Sequence, residues 1–160
     1  MIPITYLKGD ATAPSVKGPQ IIAHVSNDLG GWGKGFVLAL SKRFPEPERA
    51  YRAWHRDRAN NDFGLGAAQL VNVGRDLWVA NMIGQHGKTY KSYTGPPPVR
   101  YEASESALGK VGDWALEYSA SVHMPLIGAG LAGGKWEKIE PLIMATLSER
   151  DVAVWVYDFE

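Results

Sequence analysis

No cysteine occurs among the 160 residues, so disulfides, thiolate nucleophiles and cysteine-held metals are excluded and any chemistry must use other groups. Neither charge is in excess. The 17 Lys and Arg balance 17 Asp and Glu, which removes the electrostatic footprint expected of a nucleic-acid binder while leaving a local basic patch open. No uninterrupted apolar run approaches the roughly 20 residues that cross a bilayer. The first ten residues also lack the basic start, apolar centre and small-residue cleavage site of a secretory leader. The expectation is a cytoplasmic protein with no membrane partner. No internal repeat or low-complexity tract is visible, and no cluster of metal-ligating residues stands out, so neither metal nor cofactor is expected.

What remains is an ordinary globular composition, 45% hydrophobic and 21% charged, in a chain long enough for one full core. A single domain spanning 1–160 is the default. Short β-rich runs at Ile2 to Leu7, Ile21 to Ser26, Ala68 to Val73, Leu77 to Ile83, Ser121 to Ile127 and Val152 to Tyr157 are bounded by Gly, Pro, Asn or Asp. Between them, Gly35 to Arg43, Pro47 to Arg58, Tyr101 to Tyr118 and Trp136 to Glu149 repeat apolar residues at helical steps. The alternation predicts a three-layer α/β/α sandwich whose mixed sheet has about six strands, with an antiparallel hairpin over 68 to 83. The segment from Gly84 to Pro98, with three glycines and three consecutive prolines, predicts an irregular loop of the kind that more often serves function than not.

Two glycine-rich stretches each follow an apolar strand and run into a helix. The first is His24-Val-Ser-Asn27-Asp28-Leu-Gly30-Gly31-Trp32-Gly33-Lys34-Gly35. The second, Ile127-Gly128-Ala129-Gly130-Leu131-Ala132-Gly133-Gly134, contains GxGxxG. Glycines let backbone amides approach a ligand closely, and a helix start favours an anion, so the pair predicts a cleft for a diphosphate-bearing small molecule. A dinucleotide-binding fingerprint would make Asp158 its ribose acid, but that unit normally opens a sheet and here lies at the end of the chain. A P-loop fails because Gly87-Lys88-Thr89 has Met82 where its first glycine should stand.

On these residues the sequence resembles the macrodomains, which bind ADP-ribose. The likeness runs from Lys8-Gly9-Asp10 through both loops to Trp136-Glu137 and Val156-Tyr157. It is nearest to the stand-alone group of terminal ADP-ribose glycohydrolases and ADP-ribose 1″-phosphate phosphatases. The resemblance implies that Asp10 accepts a hydrogen bond from adenine with the Ala11 amide nearby, and that Tyr157 lies against the ring. It implies that the backbone from Gly128 through Ala129, Gly130, Leu131 and Ala132 to Gly133 wraps the diphosphate. Around the distal ribose it places Asn27, Trp32, Gly33, Lys34 and Gly35, with His86 a further polar candidate, and Gly30 and Gln85 also count among the ligand-binding residues.

The glycohydrolases carry a lysine after the strand that here ends at Ile83, where this chain has Gly84 or Gln85, and an aspartate where it has Ala132. Lys88 is the nearest substitute in sequence. The phosphatase-like members match the first loop better, with a histidine at His24 and the Gly-x-Trp-Gly-x-Gly run. The implied function is hydrolysis at the distal ribose, releasing ADP-ribose from acidic protein side chains or removing a 1″-phosphate. Asn27, His24 or Asp28 would activate water, assisted by the substrate's diphosphate. The partner is then ADP-ribose or an ADP-ribosylated protein. Two alternatives stand beside this one, a non-catalytic ADP-ribose reader and an NAD-binding oxidoreductase, and His24 could equally be a buried strand histidine bonded within the core.

Overall fold

The computed structural model describes residues 1–87, 95–129 and 133–158. Among these residues the strands are β1 (Thr5–Lys8), β2 (Gln20–Asn27), β3 (Ala68–Gly74), β4 (Leu77–Gln85), β5 (Ser121–Pro125) and β6 (Val154–Asp158). The α-helices are α1 (Phe36–Arg43), α2 (Glu46–Arg56), α3 (Tyr101–Tyr118) and α4 (Trp136–Thr146). The strands form one sheet in the order β1-β6-β5-β2-β4-β3. All neighbours are parallel except β3 and β4, the expected hairpin.

Helices cover both faces, and the central strand shows it. Along β2, Ile21 and Ala23 point into a core shared with Val111 of α3 and Ile139 of α4, while Ile22 packs with Leu40 of α1 and Tyr51 of α2. A strand buried on both sides reads as an almost unbroken apolar run, as Gln20–Asn27 does until His24. His24 takes the next position on the α1/α2 face, 5.4 Å from the Trp32 ring and 5.8 Å from Phe36.

Three elements stop earlier than periodicity predicts, the first being α2, which ends at Arg56 rather than Arg58. β5 ends at Pro125 rather than Ile127, because the Ile127 amide turns back to the Pro125 carbonyl at 2.8 Å. The last helix ends at Thr146, and a 3-10 turn at Ser148–Arg150 takes up the residues assigned to it.

The strand order places the site. β2 leads into α1 on one face, and its neighbour β5 leads toward α4 on the other. A crevice must therefore open between their C-terminal ends, where open α/β sheets take ligands.

Candidate functional site

The crevice encloses about 520 Å³, within the range of small-molecule pockets. Its walls are the end of β2 (His24 to Asn27), the stretch from Gly31 to Val37, Gln85 of β4, and the turn from Pro125 to Ala129.

The first wall is shaped by Asn27 and by two side chains of α2. Asn27 Oδ1 accepts from the Leu29 amide at 2.8 Å and the Gly31 amide at 3.1 Å, while its Nδ2 donates to the Gly31 carbonyl at 3.1 Å. Tyr51, buried beneath, donates its hydroxyl to the Asn27 carbonyl at 2.6 Å and accepts the Gly30 amide at 3.1 Å. Burial pushes the Tyr51 phenol up to about 12, so it stays a donor at any ordinary pH. Arg52 Nη1 donates to the Gly30 carbonyl at 3.3 Å. The loop then reaches Gly35, whose φ of 81° is left-handed and suits glycine, and α1 begins there facing the crevice. The amides of a helix's first turn have no partner within the helix, so this edge favours an anion.

Asp28 turns away from the crevice. Its amide donates to the Gln85 carbonyl at 3.1 Å, and its carboxylate accepts from the Gly87 amide at 2.8 Å and contacts His86 Nδ1 at 2.7 Å. It ties the first loop to the end of β4.

The second wall closes on its own backbone. Gly128, at φ 72°, presents its carbonyl to the Gly134 amide at 2.7 Å. A Cβ on Gly134 would collide with that carbonyl oxygen, and one on Gly128 would meet Ile139 Cδ1 at 2.7 Å.

The floor is His24, whose tautomer can be read from a chain of amides. Gln69 Nε2 donates to the Ala50 carbonyl at 3.1 Å, so its Oε1 faces Asn81. Asn81 Nδ2 donates to Gln69 Oε1 at 3.0 Å and to the Pro47 carbonyl at 3.1 Å, so its Oδ1 faces His24. His24 Nε2 must then carry the proton in the 2.6 Å bond, leaving Nδ1 as the bare acceptor. Nδ1 and the nearby Ser26 Oγ, both on crevice-lining residues, are buried without a hydrogen-bond partner among the described residues. Burial pushes His24 down to about 4 against the opposing pull of Asn81, so the imidazole is neutral at physiological pH.

The sequence expectations divide accordingly. His24, Asn27, Trp32, Gly33, Lys34, Gly35, Gln85, Gly128 and Ala129 line the crevice. Gly130, Leu131, Ala132 and Lys88 lie outside the described residues. Several of these residues make contacts of their own within the fold. His24 does not titrate near neutrality, because it is sealed in the core. Asn27 spends its amide holding the loop. Asp28 addresses residues 86 and 87, and Gly30 faces α2, where a Cβ would meet His55 Nδ1 at 2.5 Å. Trp32 is core as much as wall, 4% exposed with its Nε1 donating to Ser41 Oγ at 2.7 Å.

Asp10, Ala11, Gly133 and Tyr157 do not line the crevice. Asp10 follows β1, beside the end of β6. Burial would raise its carboxyl pKa, but hydrogen bonds from Thr12 and the Arg43 guanidinium outweigh that and hold it below the usual range. Tyr157 is buried with its hydroxyl 2.7 Å from His123 Nδ1. Sequence reasoning missed Phe36, Ser26, Tyr51 and Asn81. Ser26, inside the first glycine-rich stretch, and Phe36, next to it, carried a local signal. No group of three His, Asp or Glu able to hold a metal occurs among the described residues.

Comparison with known proteins agrees with this architecture. No family model matches the chain. The mouse chromodomain-helicase-DNA-binding protein 1-like is 31% identical over 98% of this chain, which spans only 18% of that protein's length. An ADP-ribose 1″-phosphate phosphatase of Meyerozyma guilliermondii is 26% identical, with 98% of this chain aligned to 99% of the yeast protein. A macrodomain protein from Streptomyces coelicolor has a solved structure that superposes with a TM-score of 0.87 at 63% identity, covering 98% of this chain and 99% of that one. Identity at that level over both full lengths, on a sheet whose crevice opens between β2 and β5, shows that the chain belongs to the macrodomain family.

Proposed function

We propose that the chain binds ADP-ribose in the crevice between β2 and β5 and acts as a hydrolase at C1″ of the distal ribose. The observation that carries this reading is the pairing of two glycine-built walls, one ending at the α1 N-terminus, across a crevice of about 520 Å³. Backbone amides and a helix start suit a diphosphate, and fungal relatives that align over most of this chain are named ADP-ribose 1″-phosphate phosphatases.

A carboxylate-linked ADP-ribose suits this site better than a substrate whose leaving group must be protonated. Water oxygen bonds to C1″ while the C1″–O bond breaks. The electron pair departs on the carboxylate, which is stable unprotonated at neutral pH, and the water's proton passes to the substrate's diphosphate or to solvent. No general acid is then required. His24 contributes as a neutral acceptor and not as a base of ordinary strength, and Asn27 acts by fixing the loop.

The reader alternative draws on the same geometry, since Asn27 and Asp28 have their polar groups engaged within the fold and His24 keeps only a buried Nδ1 without a partner among the described residues. Calorimetric titration with ADP-ribose, followed by incubation with ADP-ribose 1″-phosphate and with a glutamate-linked ADP-ribosylated protein, tests both. Release from either substrate supports the hydrolase. Tight binding without release makes the domain a reader, and failure to bind ADP-ribose overturns both.

A further inference from the structure

The solvent side of α2 carries a row of arginines that the crevice chemistry leaves unused. Arg49, Arg52 and Arg56 stand three and four residues apart, which places them within about a 60° arc of the helix, and all three are exposed. Pro47, Tyr51 and Trp54 occupy the opposite, buried side. Between residues 34 and 58 seven Lys and Arg stand against three Asp and Glu, in a chain whose total charge is zero. α3, on the other face of the sheet, has four acids to one lysine. The asymmetry is therefore local and sits beside the crevice.

The row joins the rim directly. Arg52 bonds the Gly30 carbonyl at 3.3 Å while pairing with Glu48 at 2.9 Å, and the exposed Lys34 lines the crevice. Arg49 and Arg56 enter no ion pair among the described residues.

We infer that this row docks an acidic stretch of the polypeptide that carries the ADP-ribosyl group, an inference that rests on the hydrolase reading. Arg49 to Arg56 spans about 10 Å along the helix. An extended segment presents same-side residues roughly every 6.6 Å, so two or three carboxylates match the row. A nucleic acid fits less well. Nucleic-acid affinity grows with the number of phosphates neutralised, whereas this row is single and flanked by Glu46, Glu48 and Asp57. Exposed pairs are individually weak and screened by salt, so the row should act on substrate capture and not on the bond-breaking step.

The test compares two peptides bearing ADP-ribose on one glutamate, the first flanked by acidic residues and the second by glutamine and serine, with wild-type protein and an Arg49→Glu/Arg56→Glu variant. For the acidic peptide at low salt, the variant should raise KM about tenfold with kcat unchanged. The difference should disappear in about 0.5 M salt, the neutral peptide should show none, and free ADP-ribose affinity should stay at the wild-type value. Arg49→Gln/Arg56→Gln should give a smaller loss of the same sign, which serves if the double reversal misfolds. Equal KM values for the two peptides on wild-type protein would overturn the inference. So would a variant whose only loss is salt-dependent binding of a single-stranded oligonucleotide, which would assign the row to nucleic acid. If wild-type protein binds ADP-ribose and releases nothing, the hydrolase reading fails, and the affinities of the two modified peptides still decide the row.

Discussion

The first glycine-rich loop is held by side chains reaching up from α2, whereas the second is closed by its own backbone. Tyr51 and Arg52 support Gly30 and Asn27 from below, and Asn27 braces the loop from within. In the second loop the closing bond runs from the Gly134 amide to the Gly128 carbonyl, with no room for a Cβ at Gly134. Two stretches of similar composition therefore fail for different reasons. The first should be sensitive at Asn27 and Tyr51 as well as at Gly30, and the second at its glycines.

The largest expected effect comes from acid, which should undermine the layer beneath the first loop. Unfolded histidines take up a proton near pH 6.5, but burial holds both His24 and His123 down to about 4. Between those values the unfolded chain binds more protons than the folded one. Stability therefore falls as pH drops from about 6.5 to about 4 and levels off below, by up to about 3 kcal/mol for each histidine. Urea unfolding at pH 7 and pH 4.5 measures the difference, and His24→Gln should remove its share. A flat profile would mean that these histidines are not held neutral by the fold.

Gly134→Ala should come next. Its methyl group would force the Gly128 carbonyl away and reopen the second wall, lowering ADP-ribose affinity about 100-fold, or roughly 3 kcal/mol, by calorimetry. Normal affinity in this variant would erase the contrast between the loops. Tyr51→Phe attacks the first loop from a residue that is not a glycine. Removing the buried hydroxyl leaves the Gly30 amide and the Asn27 carbonyl each short of a partner, at a cost of about 1–2 kcal/mol in thermal or urea unfolding. ADP-ribose affinity should fall several-fold with it. The smallest effect is expected from Asp28→Ala, which removes the tie to residues 86 and 87. Stability should drop by about 1 kcal/mol or less with turnover nearly intact. A collapse of turnover at unchanged affinity would restore Asp28 to the chemistry.

The sequence carries the strands, helices and both loops because these depend on local signals: apolar period, bounding Gly and Pro, and glycine runs between strand and helix. It also carries the crevice, since strand-loop-helix units of a parallel sheet open at one end. It does not carry the direction each side chain takes within a loop. Asn27, Asp28 and Gly30 are adjacent in the chain, yet one braces the loop, one reaches residue 87 and one faces His55. Those directions are set by Tyr51, Arg52 and the end of β4, partners far away in sequence. The hydroxyl partner of Tyr157 is likewise remote in sequence, since His123 lies on the neighbouring strand.

The chain from Gln69 through Asn81 to His24 has a direction. An amide is nearly symmetric in outline and opposite in polarity at its two ends, so each member dictates how the next must point. If residue 69 offered Asn81 a donor in place of the Gln69 oxygen, the amide would be pressed to reverse. His24 Nε2 would then become the acceptor and Nδ1 would carry the hydrogen. β3 lies at the sheet edge and lends no residue to the crevice, yet through two amides it helps the Pro47 carbonyl set whether the crevice floor takes a hydrogen bond or gives one.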